Sequence, residues 1–568
     1  MTTAIELHRE GRDEELWQMC CGFLSLSTHD FINIQKRLLL EQLDLLNNCK
    51  LGEKIMHGAR PKTVDEFRRI VPLTTYKDYC PELLEKREDM LPVKPKLWVR
   101  SSGRSGEYAC KWVPMTPDYA QQLSIALYGV GVLSGCSGWN DTSNIPDNIR
   151  ILYSVAPRPY ISGTFADLLR MQTPLHYLPP LEKAEGLSFE ERVRLGFEQA
   201  LSEGLEYFFG ISLVLMKIGE KLRDSSGNIN IRPYLHRPRA LWRLAKGLVK
   251  SRLAQRPMLP KDLWSLRGII GSGVDSWIYK DKIKEYWGKN PLDLYSCTEG
   301  GVIATQAWDY DGMTFIPQLN FLEFIPEDEQ IKWQMDHSYQ PRTLLLDEVK
   351  AGENYEIVIT NFYGGVMTRY RIGDMVRITS LTNDRLGINL PQMAFERRID
   401  DLIDFAFIRL TEKTIWQAVE TSGIAYEDWI AYKEIGEPAL RLLIETKDGN
   451  IFSETEVATK IRDRIMKSDN DDVQADSPLR DDFASSIDLK LKVNFLPRGT
   501  FASYIAKKQA EGADVAHLKP PHVNPPQKAL SYLLAETEEI IEVIRNKVIT
   551  ETGTPDKAQS EKIAAKFK

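Results

Sequence analysis

Residues 295–301 read YSCTEGG, and they set a threonine beside a glutamate where the apolar run DLYS gives way to two glycines. A short apolar run closed by glycines reads as the end of a strand and a turn. At such a turn Thr298 offers a hydroxyl to a phosphate oxygen and Glu299 a carboxylate to a hard cation. The same letters also describe a strand ending in a solvated turn, so the neighbouring sequence has to decide.

Three further stretches bear on it. SSGRSGEYACKW, residues 101–112, is a Ser/Gly-rich loop after the strand candidate KLWV. Its hydroxyls and unhindered backbone N–H groups suit a polyphosphate. No G-K-[ST] follows the glycines, so it is not a Walker loop, and a surface turn has the same composition. TRYRIGDMVRI, residues 368–378, puts Asp374 at a Gly-Asp turn between two strand-like runs. A carboxylate there can accept hydrogen bonds from vicinal ribose hydroxyls, although Gly-Asp also suits an ordinary hairpin. ERRIDDLID, residues 396–404, lies where the composition changes and reads equally as a salt-bridged linker.

With 568 residues and 65.0 kDa the chain is too long for one core, and two domains are expected, 1–398 and 399–568. Helical periodicity to about residue 90 is followed by alternating helices and short strands to about 395, which implies α/β architecture. Beyond 399, WIAYKEI, ALRLLIET and IDLKLKVNFL read as strands, and ETEVATKIRDRIM and FASYIAKKQAEG as helices, giving a smaller α+β domain. The polar stretch 467–482 reads as an exposed loop and 535–549 as a last helix. YFFGISLVLM, residues 207–216, is about half the length of a membrane span and reads as a buried helix. Together with 119–133 it is expected to border an apolar substrate pocket.

A hydrophobic content of 43%, a charged content of 27% and a net charge of −7 describe a soluble globular protein and argue against a nucleic-acid partner. The seven cysteines are scattered, with no C-x-x-C pair, which points to a reducing, cytoplasmic setting. The charged N-terminus lacks the apolar core of a signal peptide, and no transmembrane segment is expected. Residues 236–256 hold seven Lys and Arg and no acid, with Leu241, Leu244, Leu248 and Val249 along one helical face. Sequence alone favours a solvated face there over peripheral contact with an anionic membrane.

The succession of these stretches is more specific than any one of them. Phosphate loop, Gly-containing strand GIIGSGVDSWI (268–278), Tyr-x-x-Thr-Glu, Tyr-Arg-x-Gly-Asp and Arg-x-Asp-Asp follow the order of adenylate-forming (ANL) enzymes. The chain resembles the acyl acid amido synthetases, the auxin-responsive Gretchen Hagen family of plants, in a bacterial-type form. SSGRSG is similar to that family's SSGTSAG loop, and FLPRGTFASYIAKKQAEGADVAHLKPPHV (495–523) to its C-terminal segment ending in Lys-x-Pro. The likeness runs from about residue 60 to 525.

What the resemblance implies is a large N-terminal domain, with mixed sheets flanked by helices plus a small β-barrel, and a smaller α+β C-terminal lid. It implies ATP and Mg²⁺ as cofactors, and a small carboxylic acid and an amine or amino acid as partners. Ser101, Ser102, Gly103 and Ser105 would contact phosphates; Gly271, Ser272, Gly273 and Tyr295 would line the adenine site. Thr298 would hold the α-phosphate, Glu299 the Mg²⁺ and Asp374 the ribose. Arg398 and Arg409 would assist near the hinge, and Lys519 would offset charge during adenylation. The sequence departs from the family at Arg104, in place of Thr or Ser, at Phe407 to Leu410, in place of Gly-Glu-Lys-Leu, and at Asp404, where many relatives carry lysine. A coenzyme A ligase and a non-catalytic nucleotide or acyl-adenylate binder are the alternative readings.

Overall fold

The computed structural model describes residues 2–101, 110–146, 148–187, 189–225, 234–272, 276–399, 402–405, 409–434, 437, 439–447, 452–471, 489–510, 522–525 and 529–535. The described residues divide into two compact units, one ending at Arg397 and the other starting at Arg398.

The first unit is built on one mixed sheet. Strands β1 (Leu97–Arg100) and β2 (Trp112–Met115) form a separate antiparallel pair. The sheet itself takes β3 (Ile149–Ser154), β4 (Leu175–Leu178), β5 (Tyr207–Ile211), β6 (Gly268–Ser272), β7 (Leu292–Cys297), β8 (Gly301–Thr305), β9 (Met313–Phe315), β10 (Asn320–Pro326), β11 (Asn354–Asn361), β12 (Tyr370–Ser380) and β13 (Gln392–Arg398). Its eleven strands run in the order β10-β11-β12-β13-β9-β8-β7-β6-β5-β3-β4. The antiparallel strands expected as a separate small barrel therefore continue the parallel ones, with β10 and β4 at the edges.

Strand β7 is where the sheet changes sense, because it pairs parallel with β6 and antiparallel with β8. In open α/β sheets ligands bind beyond the carboxyl ends of the parallel strands, and Thr298 and Glu299 follow β7 at that end. The helix Pro117–Gly135 starts with Thr116 accepting a hydrogen bond from the Tyr119 N–H, and it packs buried apolar residues beneath β6 to β8.

The run 207–216 is not one helix. Tyr207–Ile211 is a strand paired with both β3 and β6, and a helix starts at Ser212. A parallel strand buried on both faces reads as an unbroken apolar run, so periodicity could not separate it from a buried helix. On the far side of the parallel strands, Trp264 and Trp287 complete a second core, and their indole N–H groups donate to the carbonyls of Ala200 and Leu215.

The second unit is α+β. Strands β14 (Leu402–Asp404) and β15 (Arg409–Thr411) form a short hairpin; β16 (Tyr426–Lys433), β17 (Ala439–Thr446) and β18 (Lys490–Leu496) form a three-stranded sheet. Helices Glu412–Thr421 and Glu454–Asp471 cover one face through Ile415, Val419, Val457, Ile461 and Ile465. Helix Thr500–Ala510 contributes Phe501 and Tyr504 to a smaller cluster with Ile430 and Leu443. The stretches 472–482 and 536–549 lie outside the described residues.

Candidate active site

The turn Thr298–Gly300 closes the hairpin between β7 and β8, with Cys297 opposite Gly301. Gly301 has φ 62°, the left-handed conformation that a three-residue hairpin loop asks for and that glycine adopts without strain. Two buried amides hold the turn from behind: Asn361 Nδ2 donates to the Glu299 carbonyl at 2.9 Å and Asn320 Nδ2 to the Gly300 carbonyl at 2.7 Å. The Asn361 amide also donates to Asn320 Oδ1 at 2.8 Å, so the two act as one brace.

Glu299 itself is buried. Lys111 Nζ reaches its Oε1 at 3.2 Å, and the Tyr370 hydroxyl donates to the same oxygen at 3.0 Å. Lys111 Nζ also donates to the Tyr370 hydroxyl at 3.0 Å, closing a triangle. Burial by itself would push the Glu299 carboxyl up; the Lys111 charge and the hydrogen bonds outweigh it, and the group titrates below its ordinary value. Burial next to this carboxylate pushes the Tyr370 phenol well up.

Lys111 was not singled out by the sequence reading, although it stands in the quoted stretch 101–112. Its signal was position: a lysine at the exit of a Ser/Gly loop, immediately before β2. The backbones of Ser101 and Lys111 are bonded, Ser101 N–H to the Lys111 carbonyl at 2.9 Å, and Ser101 Oγ accepts from Lys111 N–H at 3.0 Å. The base of the loop is thereby fixed beside Glu299. Ser102, Gly103, Arg104 and Ser105 lie outside the described residues.

The second pair is Tyr295 and Asp374. The Tyr295 hydroxyl donates to Asp374 Oδ2 at 2.8 Å, and the Tyr295 ring lies against Phe395 with centroids 6.3 Å apart. Asp374 sits neither in a turn nor between two strands: β12 is continuous from Tyr370 to Ser380. Its pairing with β11 shifts between Glu356 and Val358, and Gly373 has φ 82°. This is a β-bulge, which redirects a side chain from within a strand. Alternating apolar letters on both sides of Gly-Asp describe a bulged strand as well as a hairpin.

Gly271 and Ser272 end β6, with Gly271 opposite Asp293 of β7, two positions before Tyr295. The Ser272 side chain and Gly273 lie outside the described residues, as do Phe407, Ile408 and Lys519. Arg398 ends β13 and is half-buried. In the second unit Arg409 stands opposite Asp404 in the β14–β15 hairpin. The structure thus joins Ser101, Glu299, Tyr295 and Asp374 to the carboxyl end of β7.

A magnesium ion takes oxygen ligands and is commonly held by one or two carboxylates together with substrate phosphates. Among the described residues no group of three His, Cys, Asp or Glu side chains is placed to hold a metal by itself. Glu299, a hard oxygen donor kept ionised, with Lys111 and Tyr370 both on Oε1, fits the one-carboxylate arrangement. An apolar cavity of about 40 Å³ lies between Tyr128, Gly131 and Val132 of helix Pro117–Gly135 and Ile151, Tyr207 and Ile270 of the sheet. It touches both stretches expected to border a substrate pocket, but it lies at the amino ends of β3, β4 and β5, away from Glu299 at the carboxyl end of β7.

Residues 20–140 match the GH3 family N-terminal domain and residues 313–398 the GH3 family central domain. The 4-substituted benzoates-glutamate ligase GH3.12 of Arabidopsis thaliana is 27% identical over 268 residues, 43% of each chain. A jasmonoyl–L-amino acid synthetase of Nicotiana attenuata, JAR4, is 33% identical over 156 residues, 26% of this chain and 25% of its own. The chain thus aligns with less than half the length of these relatives. Both are plant proteins, and nothing in them supports the bacterial-type expectation. The solved structure of the GH3.15 acyl acid amido synthetase with 2,4-DB superposes with a TM-score of 0.51 at 17% identity, covering 91% of this chain and 95% of that one, a likeness of fold.

Proposed function

The chain belongs to the GH3 family, and on that premise we propose that it is an ATP-dependent acyl acid amido synthetase. It would join a small carboxylic acid to an amine, in particular an amino acid. The observation that carries this reading is the buried ensemble of Lys111, Glu299 and Tyr370 beside the Tyr295–Asp374 pair at the carboxyl end of β7.

A carboxylate cannot expel oxide. Attack of its oxygen on the α-phosphorus of ATP expels pyrophosphate and leaves an acyl-adenylate, whose leaving group is AMP. An amine then attacks the acyl carbon, loses a proton and expels AMP as the amide forms. Both first reactants are anions, so the site must counter their repulsion before they meet.

The residues divide that work. Asp374, steadied by Tyr295, accepts from the ribose hydroxyls, and Gly271, Ser272, Gly273 and the Tyr295 ring line the adenine. Ser101, Ser102, Gly103 and Ser105 donate to phosphate oxygens, and Thr298 to the α-phosphate. Lys111 keeps Glu299 ionised, and Glu299 would hold Mg²⁺. That cation, when bound, offsets phosphate charge. Lys519, Arg398 and Arg409 add positive charge in the adenylation step. The acid's apolar body would lie along helix Pro117–Gly135 near Tyr119 and Leu123, which stand against Gly301 beside the Glu299 turn. In the described residues no helix is long and apolar enough to cross a membrane, and the free cysteines fit a reducing cytoplasmic setting.

The test is product analysis. The purified chain is incubated with ATP, Mg²⁺, a panel of carboxylic acids and the amino acids, and mass spectrometry follows acyl–amino acid amide against AMP. The reading expects amide and AMP in equal amounts for at least one pair. Thioester on addition of coenzyme A, with no amide from any amine, would replace it by the coenzyme A ligase reading.

A further inference from the structure

The helix Pro238–Leu253 buries Ala240, Leu244, Gly247 and Ser251 against the second core. Its opposite face carries an unusual load. The four most exposed large apolar side chains among the described residues, Leu253 at 81%, Trp242 at 64%, Leu235 at 58% and Val249 at 57%, all lie between 235 and 253. At the helical spacing of 3.6 residues per turn, Trp242, Val249 and Leu253 form one row.

Cations flank that row. Arg239, Lys246 and Lys250 fall along one side of it and Arg252 on the other, all exposed; Lys250 lies near enough to Asp262 for its charge to act on that carboxylate, which is itself paired with Arg256. Lys246 Nζ lies 5.0 Å from the centroid of the Trp242 ring. The segment 236–256 contains no acid, in a chain whose net charge is −7. The face expected from the sequence is not the outward one: Leu244 is buried in the second core and Leu248 packs against it, and of Leu241, Leu244, Leu248 and Val249 only Val249 joins the exposed row with Trp242 and Leu253.

We propose that this face of helix Pro238–Leu253 is a peripheral docking surface for an anionic lipid bilayer. A helix lying in a membrane interface buries one apolar row to the depth of the headgroups while Lys and Arg stems reach sideways to acidic headgroups, with tryptophan at the boundary. Negative surface charge attracts these exposed cations. A nucleic acid would use the cations and leave the apolar row in water. A second copy would bring two basic faces together.

The experiment is flotation of the full chain with phosphatidylcholine vesicles with and without phosphatidylserine, at low and high salt. Flotation is expected only with phosphatidylserine and weaker at high salt. Lys246→Ala with Lys250→Ala lowers partitioning by roughly thirtyfold, and Trp242→Ser with Leu253→Ser by about tenfold or more. Both variants keep the melting temperature and the soluble enzyme activity, because none of these residues belongs to the site. Four results would each overturn the proposal: no dependence on phosphatidylserine, unchanged partitioning in either variant, DNA binding without vesicle binding, or a dimer in solution that Trp242→Ser dissociates while vesicles are ignored.

Discussion

The Tyr295 hydroxyl donates to Asp374 Oδ2 at 2.8 Å, joining the end of β7 to the bulge of β12 across 79 positions of sequence. A hydrogen bond to a buried carboxylate is worth about 1.5–3 kcal/mol. Tyr295→Phe keeps the ring and removes the donor, so it should lower thermal stability by an amount in that range. It should also raise KM for ATP more than it lowers kcat. Calorimetry and steady-state kinetics check the two together.

Gly373→Ala tests the bulge. A φ of 82° is open to glycine and costs an L-residue about 1–2 kcal/mol. The variant should lose stability on that order and, because Asp374 follows directly, bind ATP more weakly. Gly387→Ala, also at positive φ but with nothing within 4 Å of an added Cβ, should lose stability alone and leave ATP binding unchanged.

Lys111 is expected to set the ionisation of Glu299. Burial favours the neutral carboxyl and Lys111 overrides it, holding the pKa below its ordinary value. A carboxyl depressed in the fold contributes stability above its unfolded pKa and loses it as pH falls through the folded one. Lys111→Ala should move the acid limb of the pH–rate profile upward and lower kcat by about 10²-fold. A rate profile on both sides of the unfolded carboxyl range reads both effects.

His522 gives the second unit the opposite pH dependence. Its Nδ1 lies 2.6 Å from Glu412 Oε1 and its Nε2 2.8 Å from Asp428 Oδ1, and its ring stacks on Trp429 with centroids 4.6 Å apart. Burial lowers its pKa, but the two carboxylates win and raise it overall. The contribution is complete below the unfolded histidine pKa and fades as pH rises through the raised one. Thermal unfolding of His522→Gln should therefore differ from the parent chain at mildly acidic pH and approach it at alkaline pH.

Much of this was legible in the sequence. The alternation of helices and strands and the strand end and turn at Thr298 could be read because strand ends, turns and amphipathic helices leave local signatures. The strand at Tyr207–Ile211 was hidden by burial on both faces. Lys111, Asn320 and Asn361 were not found for another reason. Each acts through a partner far away in sequence, and a lone buried amide or lysine has no local pattern. The Asp374 bulge needed the register with β11, which single-strand letters do not carry.

Acid-dependent exchange of labelled pyrophosphate into ATP tests the adenylation centre most directly. The parent chain is predicted to exchange label with at least one carboxylic acid, and Glu299→Ala to lower that rate by about 10²–10³-fold while the protein stays folded. Exchange that Glu299→Ala leaves at the parent rate would contradict the account, as would silence across a broad acid panel in a chain that still binds ATP.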